Sequence, residues 1–132
     1  MGFPELEELR RRKREQTVKL MEVSDLTREL SEALDRRDQV AAQMLLSMRE
    51  APLRQMLEID EGIRTYLLGL PEEEAIRCTE ILEGYEAEDG DEAPLCDQVD
   101  RYLNLLDAVV EADKRISLRL GGNRSFYKTF RE

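Results

Sequence analysis

Histidine is missing from this chain altogether. Its absence removes the commonest general base, proton shuttle and metal ligand at one stroke. Cysteine occurs twice, at Cys78 and Cys96, without the paired spacing of a zinc site or a CxxC redox motif, so both are predicted to be free buried thiols. There is also no Gly-rich phosphate loop, no nucleophile elbow and no Cys-base pair, and carboxylates on a Glu-rich helix mean little without a pocket. The expectation is a protein that is not an enzyme, with no catalytic residue, no cofactor and no metal ligand. Long apolar runs are lacking as well, so neither a secretion signal nor a membrane span is predicted, and the expected location is cytoplasmic. Gly2 follows Met1, but Leu6 stands where N-myristoylation requires Ser or Thr. Glycine (7) and proline (4) are few, and the β-branched residues are too scattered to write a strand.

What the chain does have is charge, on 38% of its residues, with abundant Leu, Glu, Arg and Ala, a composition that favours long helices. The net charge of −10 is unevenly spread. Residues 1–37 are neutral overall, residues 71–100 carry twelve acids against one base, and residues 101–132 are net basic. A net-acidic chain of this kind is a poor binder of nucleic acid, because attraction to phosphate scales with clustered Lys and Arg.

The apolar pattern predicts an all-α fold. Leu6, Leu9, Leu20, Val23, Leu26, Leu30, Ala33 and Leu34 keep helical spacing over residues 4–34, and Pro4 suits a first turn. Lys13, Gln16 and Thr27 fall on or beside that line, which argues for a bundle helix rather than an extended zipper. Asp38 is placed to cap a second helix, whose stripe of Ala41, Met44, Leu45, Met48, Met56, Ile59, Ile63, Tyr66, Leu67 and Leu70 keeps phase across Pro52 and predicts a kink there. A short helix from Pro71 to Glu83 follows, with three acids at its positive end. The acid-rich stretch EAEDGDEAP (86–94) reads as a solvated loop, since it lacks the EF-hand ligand spacing. A final helix runs from about Leu95 to Leu120, and Asp113 lies near its buried line, where it would need a partner. The predicted architecture is an antiparallel bundle of three long helices and one short bridging helix in a single domain, 1–120, with a tail at 121–132.

Three features are candidates for binding. The run Arg10 to Arg14 is read as a solvated face paired with Glu7, Glu8 and Glu15 within a turn. Met44, Met48 and Met56 form a polarizable stripe around the kink, of the kind that fills a core or moulds to an apolar ligand. The tail GGNRSFYKTFRE gathers Phe126, Tyr127 and Phe130, and one helical turn after Ser125 would put Phe126 and Phe130 on one side. So short a turn must dock, in cis, on a partner or on a second copy, or else stay disordered.

In outline, residues 5–120 resemble the flagellar export chaperones of the FlgN and FliT type. The stretch LSEALDRRDQVAAQMLLSMREAPLRQMLEID looks like their helical hairpin, with a charged turn at Asp38 and the pair Arg49-Glu50 beyond it. The resemblance implies an all-α chaperone that binds a terminal helical segment of a secreted flagellar subunit and delivers it to the export machinery. Pro52, the acid-rich insert and the aromatic ending lie outside that pattern, and no binding residue is carried over. Partner binding is therefore expected at Phe126, Tyr127, Phe130, Met44, Met48 and Met56, from the residues alone. The expected partner is an amphipathic helical segment of another protein, a homodimer being possible, with no nucleic acid and no membrane. The alternative is a self-assembling coiled-coil adaptor.

Overall fold

The computed structural model describes residues 2–120, which form five helical segments and no strand: α1 (Phe3–Asp35), α2 (Gln39–Met48), α3 (Glu50–Leu68), α4 (Glu72–Leu82) and α5 (Ala93–Arg119). The fold is an all-α helical bundle. The tail bearing Phe126, Tyr127 and Phe130 lies outside the described residues.

Each helix boundary has a local cause. Pro4 sits in the first turn of α1, where its missing N–H costs nothing. The helix stops because Arg37 takes φ 59°, which lets the amide of Asp38 donate to Ala33 O (2.9 Å) and that of Arg37 to Leu34 O (3.1 Å). This is a Schellman ending with arginine where glycine is usual. Asp38 then caps α2, its carboxylate accepting from the amide of Ala41 at 3.0 Å.

The stretch predicted as one helix kinked at Pro52 is two helical segments that meet at Arg49, between α2 and α3. Pro52 has no N–H to offer the carbonyl of Met48, and its ring crowds that carbonyl. Arg49 stays helical (φ −70°, ψ −19°), and its carbonyl accepts from Leu53, so the backbone passes from α2 to α3 without unwinding. Pro71 and three glutamates open α4. Gly84 closes it at φ 107°, and a Cβ there would also sit 3.4 Å from Leu103. The last helix begins at Ala93, two residues before the predicted start, with Pro94 in its first turn.

The chain runs along α1, returns along α2 and α3, turns through α4 and runs along α5 parallel to α1. Three stacked clusters follow this order. The first joins Leu6 and Leu9 to Ile63, Cys78, Ile81, Leu95, Cys96 and Val99. The middle one joins Leu20 and Val23 to Met56, Tyr102, Leu106, Val109 and Val110. The third joins Leu30 and Ala33 to Ala42 and Ile116. Helix α1 is the spine, packing along both α2–α3 and α5, while α3 and α5 approach each other much less closely.

Candidate functional site

The polar residues on the apolar line of α1 are enclosed and tie it to both neighbours. Gln16 is fully buried and donates to Asp60 Oδ1 (2.7 Å) and to the carbonyl of Met56 (3.2 Å) on α3. Beside it, Lys13 donates to Gln16 Oε1 at 2.7 Å and holds its ammonium 3.7 Å from the centre of the Tyr102 ring. Burial pushes the Lys13 pKa down to about 8, against a weaker opposing pull from Asp60, and the same burial pushes Tyr102 up. On the other side, Gln98 of α5 donates to Thr17 Oγ1 at 3.1 Å.

A second tie crosses the bundle at the junction of α2 and α3. Arg49 and Asp113 are both buried, and the guanidinium donates to Asp113 Oδ1 at 2.9 Å and to Thr27 Oγ1 at 3.1 Å. Three helices thus share one enclosed charge pair, and Asp113 has the partner that its position called for.

The acid-rich loop is exposed over residues 86–91, as its reading as a solvated segment expects, and it is anchored at its far end by Glu92. Arg77, the one base between residues 71 and 100, donates to both carboxylate oxygens of Glu92 (2.7 and 3.1 Å) and to the carbonyl of Glu86 (2.8 Å). Glu92 is buried, and its Oε1 also accepts from the amide of Glu88 at 3.0 Å, so a single arginine gathers the loop. These bonds hold the Glu92 carboxyl below the usual range. Cys78 and Cys96 are buried thiols outside any disulfide, and burial raises the Cys78 thiol to about 11. Among the described residues no group of three or more His, Cys, Asp or Glu is arranged to hold a metal.

The predicted binding residues separate. Met56 is closed in the middle cluster between α1, α3 and α5, which corrects its assignment to a partner surface: a fully buried side chain touches no partner. Met44 (58% exposed) and Met48 (50%) are open, and with Val40 (79%) they form an i, i+4, i+8 apolar stripe on α2. Met44 and Met48 line a groove of about 470 Å³ between α1 and α2, together with Ala41, Leu45, Glu29, Glu32 and Arg36. The basic run behaves as the sequence suggests at Arg10, Arg11 and Arg12, which pair with Glu7, Glu8 and Glu15. Two of these arginines hold the Glu8 carboxyl down to about 2.

A second groove, of about 420 Å³, runs between α1 and α5 and was not anticipated from the sequence. Its floor and walls are Ser24, Thr27, Ser31, Ala108, Val109, Ala112 and Ile116, and its rim is Arg28, Arg115 and Arg119. Small residues spaced at 24 and 31 and at 108 and 112 are the only signal that could have found it.

No helix among the described residues is long and apolar enough to cross a membrane. No protein-family model matches the chain, and no curated protein or solved structure matches it either.

Proposed function

We propose that this protein is a non-catalytic binding module that holds an amphipathic helix of another protein along the Val40, Met44, Met48 stripe, seated in the groove between α1 and α2. The observation that carries this reading is the exposure of two methionines and a valine in helical register on one ten-residue helix. Methionine adapts its shape to varied apolar faces, and an open apolar groove on a charged surface suits a helix-in-groove partner. Glu29 and Glu32 at the groove edge favour basic residues on the partner's flank. The resemblance to flagellar export chaperones gives this partner a class: the terminal helix of a secreted flagellar subunit, kept from aggregating in the cytoplasm before export.

The test is fluorescence anisotropy with a labelled peptide of such a terminal helix and the full-length chain. Met44 and Met48 are already about half buried, so closing the rest contributes about 1 kcal/mol each. A glutamate there also forces a charge out of water, so Met44→Glu or Met48→Glu is expected to weaken binding at least about tenfold at unchanged melting temperature. Equal affinity for both variants and the parent would refute the assignment. Loss of a homodimer in Met44→Glu, without peptide binding by the parent, would replace it with self-assembly.

A further inference from the structure

We infer that the groove between α1 and α5 is a second docking surface, shaped and charged for an acidic amphipathic helix of a partner protein.

Shape comes first. Ala108 and Ala112 stand one turn apart on α5, and Ser24 and Ser31 stand two turns apart on α1. Together with Val109 and Ile116 they make a largely apolar trough with no aromatic side chain in its lining. How closely two helices approach depends on the side chains at the contact, so small residues on both walls allow a third helix to sit deep between them. The serine hydroxyls and Thr27 leave the walls partly polar, as suits a surface that is also wet when empty.

Charge decides the occupant. The chain has 30 acids and 20 bases, yet this groove is lined by three arginines and by no Asp or Glu. Arg28 meets Asp25 only at 3.6 Å on the open surface, and Arg119 donates to the exposed Asp35 at 2.9 Å. Exposed pairs of this sort are worth little, so an incoming carboxylate can replace them. Arg115 makes no ion pair among the described residues. Arginine stems add apolar surface to the trough, while their planar heads match carboxylates two bonds at a time.

The chain itself offers no fitting occupant. Residues 121–132 carry Arg124, Lys128 and Arg131 against Glu132, the wrong sign for this rim. The acid-rich loop is gathered by Arg77 beside the cluster of Leu6 and Leu9, at the opposite end of α1 from Arg28 and Ser31. An acidic partner helix is what remains. This surface is separate from the α2 stripe and of opposite charge, so the two would take different partners.

The test uses the full-length chain and two labelled synthetic helices of about 18 residues, or five turns, with the same Leu/Ala face and either Glu or Lys on the other face. The Glu helix is expected to bind and the Lys helix not, with affinity falling as salt rises. Arg28→Glu with Arg115→Glu should cost the Glu helix at least about tenfold and reverse the preference. Ala112→Trp, which fills the trough without touching charge, should abolish binding at unchanged circular dichroism. Met44→Glu should leave it intact, which keeps this surface distinguishable from the α2 stripe. Equal binding of the two helices, indifference to Ala112→Trp, sensitivity to Met44→Glu, or head-to-tail association of the protein with itself in place of peptide binding would each overturn the inference.

Discussion

Replacing Asp113 by alanine strands the Arg49 guanidinium in a site where the arginine is only 3% exposed. Removing one member of a buried, hydrogen-bonded pair costs about 3–5 kcal/mol, because the remaining charge loses its compensation but keeps its desolvation. Set against a total stability of roughly 5–15 kcal/mol, that is a large share. For a chain of this length each kcal/mol moves the melting temperature by about 3–5 °C, so Asp113→Ala should melt roughly 10–20 °C lower. The double variant Arg49→Met with Asp113→Ala removes the stranded charge and should recover more than half of the loss, giving a coupling of about 2 kcal/mol or more. Urea titration followed by far-UV circular dichroism measures both, provided the slope with denaturant stays constant across the four proteins. A loss below about 1 kcal/mol in Asp113→Ala, or simple additivity in the cycle, would refute the claim that this pair is enclosed and mutually dependent.

Two further outcomes follow from local features. Lys13 releases its proton at about pH 8 in the folded chain, against an ordinary value of 10.5, so between these values the unfolded chain binds more protons and stability rises with pH. Relative to Lys13→Met, the parent should gain about 1–3 kcal/mol from pH 8 towards pH 10, above which the raised Tyr102 acts in the opposite sense; parallel pH slopes in urea melts would sink this reading. At the end of α1, Arg37 occupies the left-handed region (φ 59°), so Arg37→Gly should stabilise the protein by about 0.5–1 kcal/mol, and a lowered melting temperature would show that the Arg37 side chain contributes more than its backbone costs.

The fold was legible because each helix carries its own evidence: an apolar line of period 3.6, a proline in a first turn, a cap at Asp38, a glycine at position 84. Even the polar interruptions of α1 were informative, since Lys13, Gln16 and Thr27 lie on its buried line and are buried. What could not be read were pairings across the bundle. Asp113 advertised a need, but Arg49 meets it from 64 positions away, at the junction of α2 and α3. At 3.6 residues per turn, the twelve residues from Met44 to Met56 rotate the side chain by about 120°, so Met56 shares the buried line of Arg49, Pro52 and Ile63 while Met44 and Met48 lie off it. The i, i+4 spacing that links Met44, Met48, Pro52 and Met56 drifts by about 40° at each step, and that drift carries the line from the open face to the buried one. Arg77 was readable in principle as the sole base in a stretch of twelve acids, which makes it the natural organiser of Glu92. The α1–α5 groove depends on small residues at helical spacing on two helices far apart in sequence, and nothing in the sequence shows that those two faces meet.

The buried ties and the open stripes belong to one physical arrangement. Apolar residues such as Met44 and Met48 would be driven inward by rolling α2 about its axis, since that would remove them from water. Two directional anchors oppose the roll: at one end of α2 the amide of Asp38, which donates to Ala33 O at the end of α1, and at the other the Arg49 guanidinium locked to Thr27 and Asp113. Packing alone holds register weakly when many side chains are alike in size, whereas a bond to one buried carboxylate has one solution. A bundle whose register is set by polar ties can leave apolar residues outside its core. In this protein those residues stand on α2, immediately before the arginine that fixes α2 in place.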